Sequence, residues 1–540
     1  MKKFKKILSL LLIVVMLVGC FTGCKDKDTK TNEVISDEEN RIDDKYGTCY
    51  QVFIYSFCDS NDDGIGDING LISKLDYIAD LGFTSIWLLP FNQSTTYHKY
   101  DVVDYYSIDS EYGTMEDFEK LVEECNARNI DIVMDFVINH TSTQNEWFKE
   151  AKAYLQTLGP DDEPDTSVCP YVEYYNFVKS DTVAGGYSKV SGTTNWTYEC
   201  VFWDQMPDLN LDSEAVRKEI EDIADFWIEK GVKGFRLDAA LHYYEGNNEK
   251  STEALKWFYD YVEGVDPEIY VVAEVWSNYS TLSQFYESGV DSLFNFTLGN
   301  SDGSFIKSIN KNGNGECGLN LANTIVAEYE EFSSINPDYV DGVFLSNHDT
   351  GRAASFLAKK IEKTKIAAAI QILSTGCVFV YYGEELGMAG SGIDENKRAP
   401  MYWTDEDSAD MTDGPANMEE QEHPFGSYET QKDDENSLYN YYKKAIHIRN
   451  KYPQIGRGVP AAMDSVMEQD GNLCALSKTY DGETIYVIYN INSEASSTVT
   501  VSKDTYDYSV IADSLCVSEE QPTLDGETLT IPAFGCVVLK

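Results

Sequence analysis

From residue 48 to about 450 the chain alternates short runs rich in β-branched and aromatic residues with stretches whose apolar residues fall at helical spacing, without an internal sequence repeat. The runs fall at 48–57, 84–90, 130–138, 232–239, 270–276, 292–298, 340–346 and 378–382. Several are nearly continuous in apolarity, which marks strands covered on both faces, as in a parallel sheet. Between two of them, in 213–231, Val216, Ile220, Ile223, Ala224 and Trp227 recur on one helical face. Ser213 and Gly231 stand where an N-cap and a C-cap belong. Met115, Phe118, Leu121, Val122 and Cys125 repeat the pattern. Eight strand–helix units predict an α/β fold of the (β/α)8 TIM-barrel class. An open doubly wound sheet is the alternative, weakened because no dinucleotide glycine fingerprint follows the first run.

Two segments break the rhythm and define the expected domains. The barrel takes 46–140 and 208–452, and 141–207, rich in Pro, Gly, Asp and Tyr, reads as a small domain inserted after strand three. After Tyr452 come short alternating runs such as 484–489 and 528–531, beside Asp481-Gly482 and Asp525-Gly526 turns. They predict a C-terminal antiparallel β-sandwich over 453–540. At the other end, Lys2, Lys3, Lys5 and Lys6 precede an apolar run, 7–18, that is too short for a membrane span. Residues 1–19 therefore read as an export signal. Leu17-Val18-Gly19-Cys20 resembles the lipobox of bacterial lipoproteins, which makes Cys20 the acylated residue, with Cys24 the alternative. The polar stretch 20–45 reads as a flexible tether. The expectation is an exported monomer, held at the outer face of the cell membrane by its lipid alone.

Charge narrows the partners. With 92 Asp+Glu against 42 Lys+Arg the formal net charge is −50, which repels nucleic-acid phosphates and anionic lipid headgroups. A neutral sugar polymer or a metal ion suits such a surface. The 12 cysteines form no CxxC pair and no zinc-spaced cluster, so no essential disulfide is expected.

In a barrel of this class the chemistry sits at the C-terminal ends of the strands. Strand three ends in Asp135-Phe136-Val137-Ile138-Asn139-His140, and strand four in Gly234-Phe235-Arg236-Leu237-Asp238-Ala239. Strand five ends in Ala273-Glu274-Val275-Trp276, and strand seven in Ser346-Asn347-His348-Asp349. Alone, each carboxylate reads as a cap or a solvated charge. Asp238, Glu274 and Asp349 arriving together are harder to explain structurally. Crowded carboxylates separate in pKa, leaving one protonated as a donor and one ionised as a nucleophile. Arg236 shares a strand face with Asp238 and would hold it ionised. A close-set pair of this kind is what glycoside cleavage through a covalent intermediate needs.

The segments DFVINH, GFRLDAALH, AEVW and SNHD resemble the conserved regions of the α-amylase family, glycoside hydrolase family 13. The resemblance covers 48 to about 450, in order and spacing. It implies Asp238 as nucleophile, Glu274 as general acid/base and Asp349 as transition-state stabiliser, with Arg236, His140 and His348 around the sugar. Met206-Pro207-Asp208-Leu209-Asn210 resembles a fifth region, in the form found among lipoprotein α-amylases. Tyr97-His98-Lys99-Tyr100-Asp101 resembles the substrate-binding turn after strand two, which implies sugar contacts from Tyr100, His98 and Asp101. Exo-acting relatives carry Asp where Tyr97 stands, so the resemblance favours an open, endo-acting cleft. Lys397-Arg398-Ala399-Pro400-Met401 resembles a further signature and adds Arg398; Trp276 is a candidate stacking platform, with Trp203 a weaker one.

Asp59-Ser60-Asn61-Asp62-Asp63-Gly64-Ile65-Gly66-Asp67 places oxygen side chains at alternate positions before a glycine turn, the logic of a Ca²⁺ loop without its distal Glu. The expected ligands are Asp59, Asn61, Asp63, Asp67 and the Ile65 carbonyl. The resemblance also suggests a second Ca²⁺ at Asn139, Asp208 and the His242 carbonyl, although Leu241 departs from the usual pattern. The expected function is α-amylase action on internal α-1,4 bonds of starch-like glucans, with retention. Oligo-1,6-glucosidase, cyclomaltodextrinase, neopullulanase or transglycosylase activity on the same scaffold is the alternative. A non-catalytic glucan-binding surface lipoprotein is the alternative from another class.

Overall fold

A computed structural model describes residue 42 and residues 44–540, apart from 312–314, 407 and 420. The expected export signal, Cys20, Cys24 and nearly all of the tether lie outside the described residues. No described helix is long and apolar enough to cross a membrane.

Eight parallel strands form one sheet: β1 Thr48–Val52, β2 Ser85–Leu88, β3 Asp131–Phe136, β4 Gly234–Leu237, β5 Tyr270–Ala273, β6 Ser292–Leu293, β7 Gly342–Phe344 and β8 Cys377–Tyr381. Their order is β6-β5-β4-β3-β2-β1-β8-β7. A parallel bridge between Phe294 and Gly342 joins the two ends and closes the barrel. Gly342 is needed there: a Cβ would stand 2.6 Å from the Leu293 carbonyl oxygen. Inside, Trp87, Phe294 and Phe379 pack ring on ring at 4.9–6.1 Å. The barrel is therefore a filled core, and the site must sit on its rim.

The outer helices follow the apolar spacing. Helix Glu214–Glu229 buries Val216, Ile220, Ile223, Ala224 and Trp227, and Ser213 caps it by accepting from the Val216 N–H. Gly231 ends it at φ +101°, in the left-handed region, with Val122 so close that a Cβ would lie 2.6 Å from its methyl. Helix Met115–Asn126 starts in a capping box made by Thr114 and Asp117.

Seven of the eight expected strands are shorter than their apolar runs, the first and sixth by the most. The chain leaves β1 at Val52 and coils into a 3-10 turn at Ile54–Ser56. After Leu293 the Asn295 side chain accepts the N–H groups of Thr297 and Leu298, which bends 292–298 into a turn beyond its two-residue strand.

Between β3 and β4, helix Glu146–Leu155 precedes a three-stranded antiparallel sheet of Phe177–Lys179, Trp196–Glu199 and Tyr187–Lys189. The chain then returns to the barrel through a bridge between His140 and Asp208. The C-terminal part forms five-stranded and three-stranded antiparallel sheets. Asp481 and Gly482, both at positive φ, make the tight turn between Leu473–Tyr480 and Glu483–Asn490. Two buried basic side chains meet the carbonyl end of helix Ile361–Ile372 at the junction with these sheets. Arg449 donates to the Ile372 and Ser374 carbonyls, and Lys478 to that of Leu373. The Arg449 charge suits the negative end of the helix dipole, whereas burial and the neighbouring Arg449 push Lys478 well below the usual lysine range, so it serves there as a hydrogen-bond donor.

Candidate active site

Arg236 is fully buried on β4 and organises the rim. Its Nη1 donates to Asp135 on β3 at 2.8 Å and to Asp238 at 2.7 Å, and its Nη2 donates to Glu274 at 2.8 Å. The parallel ladder fixes this grouping, since Asp135 and Val272 are the register partners of Arg236 on either side. One guanidinium cannot neutralise three buried carboxylates, so the cluster keeps protons. Burial pushes Glu274 up to about 8, against the pull of Arg236 and with the help of Asp238 and Asp349. Burial raises Asp135 as well, again against Arg236. Glu274 is thus a protonated acid near neutral pH, bonded to the same guanidinium as its neighbour Asp238.

Asp349 behaves in the opposite way. Although burial works to raise it, His348 Nε2 at 2.9 Å and Arg398 Nη2 at 2.9 Å hold it below the usual carboxylate range. The His348 tautomer follows from its other nitrogen: Gln51 Nε2 donates to Nδ1 at 2.8 Å, leaving the proton on Nε2. Burial lowers the His348 pKa and favours this neutral ring. Tyr100 completes the network. Its ring stacks on His348 with planes 5° apart, and its hydroxyl donates to Asp135 at 2.9 Å.

Above this layer opens a cleft of about 540 Å³, lined by Asp238, Glu274 and Asp349 together with His98, Tyr100, His140, His242, Trp276 and Arg398. Three residues from strands four, five and seven, far apart in sequence, therefore share one cavity. His140 Nε2 is buried beside it with no protein partner, a polar atom that a bound hydroxyl would satisfy. His98 lies pinned by Thr96 and the Tyr100 N–H, with its pKa down to about 4 through burial and the Arg398 charge. The positions 98–100 sit in a turn of the hairpin Asn92–Ser94 with Val102–Ile108. Asp101 departs from expectation. It is fully buried and takes hydrogen bonds from Ser94, Thr95, Thr96 and Ser142, so it braces the turn instead of facing the cleft. Its polar neighbours compete for the carboxylate, and a turn sequence alone does not say which way it points.

Four participants escaped the sequence reading. Asp135 reads in the sequence only as part of its strand, although its place two residues after Val133, on the same face of β3, sets it beside Arg236. Gln51 carries no signal of its own. Phe202, 48% exposed on the inserted segment, and Asp394 both line the cleft.

The loop after β1 is built from successive side-chain turns: Asp59 accepts from the Asn61 and Gly64 N–H groups, Asn61 from Asp63, and Asp63 from Ile65. Asp67 caps the following helix by accepting from the Gly70 N–H. Among the described residues no group of three or more His, Cys, Asp or Glu is gathered as a metal cage. The donors fit a hard cation in kind, being carboxylate and amide oxygens tied into one loop. At the second suggested position, Asn139 Nδ2 donates to Asp208 at 3.4 Å, and the His242 ring pairs with Glu245. Burial pushes Asp208 up to about 7.

A parallel barrel with paired carboxylates around a buried arginine at its rim has the parts that glycoside hydrolysis uses. Comparison with known proteins narrows the class. The family model for the α-amylase catalytic domain matches residues 51–458. Alpha-amylase 3 of Dictyoglomus thermophilum is 38% identical over 454 residues, covering 82% of this chain and 84% of that protein. The solved structure of Eubacterium rectale Amy13B is 42% identical with a TM-score of 0.89, covering 93% of this chain and 96% of that one. Oligo-1,6-glucosidase of Bacillus cereus is 27% identical, covering 83% and 91%. The chain belongs to the α-amylase family.

Proposed function

We propose that this protein hydrolyses internal α-1,4-glucosidic bonds of starch-like glucans by double displacement. Asp238 attacks the anomeric carbon while Glu274 gives its proton to the departing glycosidic oxygen. Glu274, now a carboxylate, then takes a proton from the water that releases the glucosyl group from Asp238. Asp349, ionised, accepts from the hydroxyls of the distorted sugar, and His140 and His348 add donors. The observation that carries this reading is the single guanidinium shared by Asp238 and Glu274.

Endo action is supported by Tyr97, whose hydroxyl accepts from Arg398 at 3.2 Å where an exo-acting relative has a carboxylate for the chain end. Exposed Phe202, Trp203 and Trp276 along the mouth suit a longer chain. Similarity to oligo-1,6-glucosidase favours the second reading, cleavage of α-1,6 bonds in short oligosaccharides. Full-length protein incubated with soluble starch, pullulan and isomaltose separates the two. Loss of iodine colour ahead of glucose release is expected; glucose from isomaltose with starch untouched overturns the α-1,4 reading.

The pH profile tests the acid. Glu274 must hold its proton to act, so kcat/KM falls as pH rises through about 8. A profile flat to pH ~10 rejects Glu274 as proton donor.

We also propose that Asp59, Asn61, Asp63, Asp67 and the Ile65 carbonyl hold Ca²⁺, which ties the loop after β1 and supplies no step of the reaction. Chelation is expected to lower the melting temperature, since ligand at a thousandfold over Kd stabilises by about 4 kcal/mol. An unchanged melting temperature dismisses the loop as a tight site. Export and acylation at Cys20 complete the proposal; radiolabelled palmitate retained by Cys20→Ser but lost by Cys24→Ser would reverse that choice.

A further inference from the structure

Away from the catalytic cleft, a groove of about 280 Å³ opens between the strand Val102–Ile108, the start of helix Glu146–Leu155 and helix Glu214–Glu229. Tyr106, Trp147, Glu219, Gln144 and Asp104 line it. Tyr106 is 37% exposed, yet it is held in place. Its ring meets Phe226 edge-on at 5.2 Å and its hydroxyl donates to Glu219 at 3.3 Å. Trp147 is partly exposed and equally fixed, stacked on Tyr105 at 5.7 Å and packed against Tyr174 at 5.3 Å. Two braced aromatic rings therefore border one concave surface.

The polar groups there select the ligand by charge. Glu219 is half-buried and forms no ion pair among the described residues, and its side chain accepts from the Tyr106 hydroxyl. Lys149, the single basic residue of the lining, is bound to Glu146. An anion is repelled by Glu219 and Asp104 and finds no free cation. A neutral molecule with many hydroxyls meets acceptors at the carboxylates, both kinds of partner at the Gln144 amide, and aromatic surface for its C–H faces. A pyranose has that combination, and a glucan repeats it along a chain.

We propose that this groove is a second glucan-binding site, taking one or two glucose units of an α-glucan whose scissile bond lies elsewhere. It rests on the α-glucan reading above and adds a foothold that keeps a long substrate on the enzyme between cuts.

The test separates binding from catalysis. In an Asp238→Asn background, migration through native gels containing amylopectin reports binding without digestion. Adding Tyr106→Ala or Glu219→Gln is expected to weaken retention roughly five- to tenfold. In the active enzyme the same two changes should leave kcat/KM on a nitrophenyl maltotrioside unchanged while slowing attack on granular starch. Retention equal to that of the parent in both variants overturns the site, provided the parent is retained and active on starch. A parent that neither binds amylopectin nor degrades starch sinks the α-glucan reading itself, and this site with it. Unchanged melting temperatures exclude misfolding, and Glu219→Gln keeps the side-chain shape should Tyr106→Ala disturb its helix contact.

Discussion

Replacing Asp238 by Asn is expected to lower kcat on starch by about 10⁴- to 10⁶-fold, the scale on which a nucleophile is lost. The amide is nearly isosteric, so the cleft keeps its shape, but it cannot form the glycosyl ester. A matched change at Glu274 distinguishes the two carboxyls. With Glu274→Gln, hydrolysis of starch collapses, whereas formation of the glycosyl-enzyme from a maltosyl fluoride survives, because fluoride leaves without a proton. Asp238→Asn abolishes turnover of both substrates. Survival of starch hydrolysis in Asp238→Asn would falsify the nucleophile assignment.

The second large effect is expected at Arg236. Arg236→Met preserves the apolar stem and removes the charge, leaving Asp135, Asp238 and Glu274 buried without their cation. Breaking a buried pair costs about 3–5 kcal/mol, and activity should fall at least about 10²- to 10³-fold with the lost electrostatic support. The pH dependence has a definite sign. A buried carboxyl without a cation has a folded pKa above its unfolded value, so its stability contribution is present at low pH and is lost as pH rises through the folded pKa. Asp135 and Glu274 are already raised to about 7 and about 8 in the parent, so the deficit of Arg236→Met, measured by urea titration, should grow as pH rises through and beyond that range, where the parent ionises and the variant resists. A deficit independent of pH would show that packing, not charge, is what Arg236 contributes.

The eight strands were readable because a parallel barrel buries both strand faces, which leaves apolar runs too long to be anything else. The same uniformity hid their ends. Nothing in 292–298 announces that Asn295 will turn back on the chain, because an amide inside an apolar run satisfies a backbone turn or a strand edge equally well. The catalytic carboxylates were legible by position, at strand ends. Their support was not: Gln51 acts through His348, almost 300 residues away, as 297 positions separate them. Asp101 shows the converse, a residue right in its motif and turned away from the cleft. Phe202 stands on an inserted segment whose placement over the cleft depends on contacts that no local pattern encodes.

The join between β6 and β7 has a consequence for motion. Elsewhere neighbouring strands share a ladder, but here the wall is joined by one bridge, at Phe294 and Gly342, helped by the Val340 N–H donating to the Asp291 carbonyl at 2.7 Å and by Ser292 Oγ donating to the Val340 carbonyl. Thermal breathing should concentrate along this seam, so deuterium enters the amides at 293–295 sooner than those in the middle of β1 to β4. The ring can then gape on the side bearing Trp276, which stacks on Phe296, without unravelling the staves that carry Arg236. Because Glu274 follows β5 and Asp349 follows β7, loosening this joint would alter the spacing of those two carboxyls across the cleft, while Arg236 and Asp238 stay on the continuous arc.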